Sequence, residues 1–297
     1  MVYLTLRGSP PRRGALRHGN IDQPTKLPQL HSCEHPKMNE TLRSILASKK
    51  VMTEDGTERP LDFNINSAEG EFVQSLIRKH RPRVALEVGC AYGISSLYIG
   101  EALRESGGTK HIIIDPCQNF PFGRGPKTGY EGIGLANLKR AGYFDRVEFH
   151  ETTSFEGLPT LLAKGEKIDF AFLDGQHTFD YVLVDFFYVD KLLSVGGIIV
   201  FDDLQYPSIQ KACRYILTNL SYVSTEPKVA DMSTRRRMIS TLMKIDPIAR
   251  VVKPEIRERD SALGIPNRRF MAIQKTAHDL IGEGADTTRH WEAHHAF

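Results

Sequence analysis

The run Val84-Ala-Leu-Glu-Val-Gly-Cys-Ala-Tyr-Gly-Ile-Ser-Ser96 decides how the chain is read. Residues 84–88, apolar apart from Glu87, read as a buried strand; Gly89 and Gly93 turn the chain, and Ile94 opens an amphipathic stretch. A strand that passes through glycines into a helix bares backbone N–H groups at the positive end of the helix dipole, which favours a carboxylate or another anion. A turn made tight only for packing has the same spacing, so the glycines alone do not choose. A dinucleotide site needs Gly-x-Gly-x-x-Gly with an acid about twenty residues on. Here position 91 is alanine, the spacing is Gly-x-x-x-Gly, and Asp115 follows Gly89 by 26 residues. At the end of the next strand, Asp115 is placed to accept both hydroxyls of a ribose.

Outward from this turn, short apolar runs alternate with amphipathic segments. Strands are expected at 84–88, 111–115, 146–150, 168–173 and 198–201, and helices at 39–48, 69–80, 94–104, 134–141, 159–164, 179–193 and 207–220. Such alternation indicates βαβ units: an α/β, Rossmann-like, doubly wound and mostly parallel sheet with helices on both faces. Ligands bind such sheets at the carboxyl ends of the strands, near the switch point that the glycine turn forms. Late strands are expected at 222–225 and 269–274. The expected organisation is an N-terminal arm over 1–38, one domain over 39–276 with an insertion at about 228–266, and a C-terminal tail over 277–297. Arg235, Arg236 and Arg237 in the insertion read as a solvated face, and His290, His294 and His295 as part of a frayed terminus.

Composition narrows the class. The 297 residues are 40% hydrophobic and 25% charged, near the globular average, and the net charge of +3 implies no dedicated nucleic-acid partner. Cys33, Cys90, Cys117 and Cys213 lack any Cys-x-x-Cys spacing, which argues against a zinc site or a secreted disulfide framework and for a reducing cytoplasm. No apolar run approaches the ~18 residues of a membrane span, so no membrane partner is expected. The oligomeric state stays open, a homo-oligomer included.

A second constellation is Phe172-Leu-Asp-Gly-Gln-His177 followed by Val200-Phe-Asp-Asp-Leu204. Each piece follows an apolar strand, so Asp174, Asp202 and Asp203 are expected to share one cleft. Like charges gathered there repel unless a cation lies between them, and all-oxygen ligands favour Mg²⁺, Mn²⁺ or Ca²⁺. A hydroxyl next to such an ion becomes more acidic, and His177, three residues past Asp174, offers an imidazole to take its proton. Taken singly, each of these residues reads more readily as a turn or cap, and it is their combination that points to a site.

The turn together with Glu87 and Asp115 resembles class I S-adenosylmethionine-dependent methyltransferases over about residues 65–225. The resemblance implies an antiparallel last strand near Phe270 and a glycine loop, here Gly89, Cys90, Ala91 and Gly93, around the methionine part of S-adenosylmethionine. It implies that Asp115 holds the ribose and Ser95 the cofactor carboxylate, and that Thr153 and Ser154 form the adenine-side turn, with Thr153 where an acid often stands. Glu87 and Asp174 count among the expected cofactor contacts. The acidic cluster resembles metal-dependent O-methyltransferases of the macrocin type and, more distantly, of the catechol type. This implies Asp174, Asp202 and Asp203 as ligands of Mg²⁺, His177 as base and a small-molecule hydroxyl as acceptor. The catechol branch carries lysine and asparagine where this chain has His177 and Asp203, so a catechol acceptor is not supported. Competing readings are transfer to nitrogen without metal, against which stands the lack of an Asn-Pro-Pro-Tyr or Asp-Pro-Pro-Tyr run, a nicotinamide-dependent oxidoreductase, and a ligand-binding protein without catalysis. Segment 116–130, with Phe120, Phe122 and Tyr130, is expected as a lid, and the insertion as a wall.

Overall fold

A computed structural model describes residues 38–62, 64–121, 127, 129–225, 263, 265 and 269–278. The expected arm up to residue 37, the tail from residue 279 and nearly all of the insertion, with their arginines and histidines, lie outside the described residues, as does Phe122.

In chain order the elements are α1 (Glu40–Ser48), β1 (Lys50–Met52), β2 (Glu58–Pro60), α2 (Ser67–His80), β3 (Val84–Val88), α3 (Ile94–Ser106), β4 (Lys110–Ile114), α4 (Ile133–Arg140), β5 (Val147–His150), α5 (Ser154–Ala163), β6 (Ile168–Leu173), α6 (Phe179–Leu192), β7 (Leu193–Phe201), α7 (Pro207–Asn219), β8 (Tyr222–Ser224) and β9 (Met271–Lys275). Seven strands form one sheet in the order β5-β4-β3-β6-β7-β9-β8. Neighbours from β5 to β7 run parallel, and β9 is antiparallel to both β7 and β8. The order reverses at β3, so the glycine turn after β3 and the loop after β6 meet at the switch point.

Alternation along the strands builds a core on each face. Ala85, Ile113, Phe170, Phe172, Ile198 and Val200 pack towards α2, α3 and α4, whereas Leu86, Val88, Ile112, Ala171, Leu173 and Ile199 pack towards α5, α6 and α7. At α2 a capping box holds the helix start: Asn66 Oδ1 accepts from the Glu69 N–H at 3.0 Å, and Glu69 Oε2 accepts from the Asn66 N–H at 2.7 Å. That box extends the helix two residues before the expected start, and Arg81 ends it in the left-handed conformation ahead of Pro82.

Two further expectations shift, and one hairpin is added. The helix expected to open at Pro159 starts at Ser154 and carries Pro159 inside it. The strand expected from Ile198 begins at Leu193, because Gly196 and Gly197 sit at a register irregularity against β6 instead of ending the strand. The β1–β2 hairpin was not expected from the sequence; its signal is Asp55-Gly56, with Gly56 at φ +93°.

Asp185 on α6 is only 3% exposed, and its Oδ1 has no hydrogen-bond partner among the described residues. Burial pushes its carboxyl up from 3.8 to about 6, against a bond from the Ser154 side chain. The folded state therefore holds the proton more tightly than the unfolded chain, and stability is lost as pH rises through the interval between those two values. A shift of roughly two units corresponds to about 3 kcal/mol. Asp185→Asn removes that loss, so the variant should be more stable than the wild type near pH 8 and gain little near pH 4. Urea unfolding at both pH values checks this; an equal difference at the two would show that Asp185 does not titrate there.

Candidate active site

A cavity of about 810 Å³ opens at the carboxyl ends of the central strands and is lined by Gly89, Cys90, Ala91, Ser95, Asp115, Thr153, Ser154, Asp174, His177, Asp202 and Asp203, among others. The strand ladder continues one residue beyond β6 and β7 and sets the acids in register: the Asp174 N–H donates to Val88 O at 2.9 Å, and the Asp202 N–H to Leu173 O at 3.1 Å.

Gly89 is where the two constellations touch. At φ +90°, a Cβ on it would lie 2.1 Å from the Asp174 carbonyl oxygen. The absence of a side chain there lets the loop after β3 cross the end of β6. Gly93 has a different duty: it is not on the cavity wall, and a Cβ on it would meet the carbonyl oxygen of Gly134 in α4 at 2.9 Å. Packing against α4 by itself requires a glycine there.

Asp115, just past β4, binds the loop itself. Its Oδ2 accepts the N–H groups of Cys90 at 2.7 Å and Ala91 at 2.9 Å, and its Oδ1 accepts that of Cys117 at 2.7 Å. Burial raises its pKa, and these three backbone bonds oppose the rise. A carboxylate has about four acceptor sites, so a ribose hydroxyl would share it with the loop. Glu87 is a correction. It is fully buried and off the cavity wall, with Oε2 accepting from Ser96 Oγ at 2.7 Å and lying 3.0 Å from His111 Nε2. An extended strand points alternate side chains to opposite faces, and Glu87 points into the α3-side core, not along the strand to its tip.

Ser95 lies in the first turn of α3, where the cavity meets the positive helix end. Across the cavity, Thr153 Oγ1 donates to Glu156 Oε2 at 2.6 Å, so the hydroxyl at the expected acid position is already engaged.

The acidic cluster differs from its expected composition. One ligand-type atom from each of Asp174, His177 and Asp203 falls within 4.8 Å of the others, with His177 Nε2 at 3.4 Å from Asp174 Oδ1 and 3.2 Å from Asp203 Oδ2. Asp202 is not in this convergence although it lines the same cavity. Successive residues of extended chain project oppositely, and Asp203 at φ +52° turns further while its Oδ1 accepts from Gln205. Burial pushes the Asp174 and Asp202 carboxyls up, and charge repulsion adds to it, from Asp203 on Asp174 and from Asp174 on Asp202. The bond to Asp174 raises the His177 pKa. Asp202 Oδ1 is buried with no partner among the described residues.

The sequence reading missed Asp62, Asn64, Gln205, Tyr206 and Arg269, all on the cavity wall. Tyr206, four residues past Asp202, stacks on the His177 ring with centroids 5.4 Å apart. Of the expected lid, Pro116, Cys117 and Tyr130 line the cavity, whereas Phe120 is off the wall and 67% exposed. Among the described residues, no helix is long and apolar enough to cross a membrane.

Residues 86–204 match the family model described as a methyltransferase domain. Over that span the chain is similar to methyltransferase domains, and its sheet order and glycine turn place the matched residues around the switch point where open α/β sheets bind ligands. Among its relatives, an Arabidopsis thaliana protein named as a caffeoyl-CoA O-methyltransferase is 28% identical over 193 residues, 65% of this chain and 74% of that one. The caffeoyl-CoA O-methyltransferase of Stellaria longipes is 28% identical over 48% of this chain and 56% of its own. The catechol O-methyltransferase of Mus musculus is 25% identical over 57% of this chain and 60% of its own. The chain thus spans under two-thirds of the length of the last two.

Proposed function

We propose that this chain transfers a methyl group from S-adenosylmethionine to a hydroxyl oxygen of a small molecule, with a divalent cation at Asp174 and Asp203 and His177 as proton acceptor. The observation that carries the reading is the convergence of Asp174, His177 and Asp203 within 4.8 Å, on the cavity that the glycine turn also lines. Relatives named for O-methylation support oxygen as the acceptor atom. The residues fit a hard cation such as Mg²⁺ or Mn²⁺: carboxylates pushed up by burial and mutual repulsion, and a buried, unpartnered Asp202 Oδ1 behind them, are what a positive charge would relieve.

When bound, S-adenosylmethionine supplies a methyl on a positively charged sulfur, and a divalent cation supplies the field that acidifies a hydroxyl. The chain's residues bind and orient. The loop over Gly89–Ala91, clamped by Asp115, and Ser95 at the start of α3 hold the amino-acid end of the cofactor. Asp174 and Asp203 lie 3.4 Å and 3.2 Å from His177 Nε2 and hold the ring at the site. Bound S-adenosylmethionine would give its methyl to the acceptor oxygen and leave as S-adenosylhomocysteine, and His177 Nε2 would take the hydroxyl proton.

Calorimetry with and without Mg²⁺ tests the reading. S-adenosylmethionine and S-adenosylhomocysteine should bind and NAD should not, and Asp174→Asn should weaken Mg²⁺ binding while S-adenosylhomocysteine still stabilises the fold against heat. Binding of NAD in place of S-adenosylmethionine would overturn the assignment, and an unaltered Mg²⁺ affinity would remove Asp174 from the metal site.

A further inference from the structure

Every carboxylate cluster brings a question of counter-charge, and in this cavity the answer is unevenly placed. Asp62, Asp115, Asp174, Asp202 and Asp203 all line it, and among the described lining residues Arg269 is the one permanent cation. We infer that Arg269 docks a carboxylate of the methyl acceptor, which makes the substrate class a hydroxy acid; this rests on the methyl-transfer reading above.

Two contacts fix Arg269 in place. Its carbonyl oxygen accepts the Leu204 N–H at 2.6 Å, which ties it directly to the Asp202–Asp203 strand tip. Its Nε lies 2.5 Å from Glu69 Oε1. Glu69 is 2% exposed, and its other oxygen caps α2, so neither the carboxylate nor the guanidinium edge it holds is free to wander. A buried carboxylate needs a partner, and pairing with Glu69 alone would account for a covered cation. Arg269 is not covered: its side chain is 45% exposed on a cavity wall. A guanidinium has five N–H donors in a planar fork, and contact through Nε leaves the fork able to meet a second carboxylate. Such a group on the acceptor would be drawn to Arg269 and repelled by the surrounding aspartates. Recognition there thus sets the orientation of the acceptor beside His177 and the Asp203 tip.

The test uses the full chain loaded with S-adenosylhomocysteine and Mg²⁺, and two probe pairs that differ in charge: 4-hydroxybenzoate against its methyl ester, and galacturonate against its methyl ester. Calorimetry should show at least one acid binding about 10- to 100-fold tighter than its ester, the range for a charge-assisted hydrogen bond. Arg269→Gln should bring the two affinities together, and Arg269→Lys should restore part of the gap. Because the single change strands Glu69, the double variant Glu69→Gln with Arg269→Gln serves as the folded control, checked by its S-adenosylhomocysteine affinity. A wild type that binds neither acid more tightly than its ester, or a preference that survives in the double variant, overturns the inference. If S-adenosylhomocysteine still binds in that case, the methyl-transfer reading stands and only Arg269 falls. If it does not bind at all, the earlier reading is what failed.

Discussion

His177→Ala lowers methyl-transfer turnover by about 10² to 10⁴, the range for loss of a general base, with S-adenosylhomocysteine affinity retained. The ring is held for that duty on several sides. Tyr206 stacks against it, Ser208 Oγ donates to its backbone carbonyl at 2.5 Å, and Asp174 and Asp203 lie within 3.4 Å of Nε2. Removing the imidazole leaves the two carboxylates in place, so the measurement that isolates the proton-accepting role is turnover at saturating Mg²⁺ or Mn²⁺, followed as S-adenosylhomocysteine release. If high metal concentration restores the rate, His177 is a ligand of the cation and not the base. Its place in the three-residue convergence makes that comparison necessary.

Gly89→Ala is the most damaging single methyl group that can be added at this site. The new Cβ would lie 2.1 Å from the Asp174 carbonyl oxygen, a backbone atom that cannot rotate away, and φ there is +90°. Backbone strain of about 1–3 kcal/mol and overpacking of typically 1–3 kcal/mol add to about 2–6 kcal/mol. For a domain of this size that is a fall in Tm on the order of 10 °C. Loss of S-adenosylmethionine binding should accompany it, because relief of the clash has to part the loop after β3 from the tip of β6. Thermal unfolding with and without S-adenosylhomocysteine checks both. A variant with wild-type Tm and affinity would mean that the close approach is not maintained in solution. Gly56→Ala makes the comparison: its φ is +93°, but nothing lies within 4 Å of the position a Cβ would take, so strain acts there without a clash.

How much of the site was legible follows from what kind of information each residue carries. Gly89, Asp115 and Asp174 sit at the ends of apolar strands, and a strand end in a parallel sheet has one address, the carboxyl edge where ligands bind. Their presence on one cavity wall needed only the alternation of strands and helices. Side-chain direction was another matter. Glu87 reads as part of the glycine motif, yet the pleat turns it into the core against His111 and Ser96. Asp202 and Asp203 read as a pair, yet only Asp203 joins Asp174 and His177, because the chain leaves β7 through a left-handed Asp203 (φ +52°) that separates the two side chains. Arg269 carries no local signal: it reaches the cavity because β9 inserts between β7 and β8, 65 residues beyond Leu204 in the chain.

Hydrophobic periodicity and glycine spacing were enough by themselves to determine the α/β class, the switch point and the strand tips that bear the acids, because each depends on neighbours within a few residues. Tertiary structure alone decided which carboxylates converge, that Asp115 clamps the loop it was expected only to face, and that a guanidinium stands over the acidic tip. Those outcomes depend on the pleat, on burial and on strands far apart in the chain meeting in one sheet, and the energy of a charge is set by what surrounds it in space, not by what precedes it in sequence.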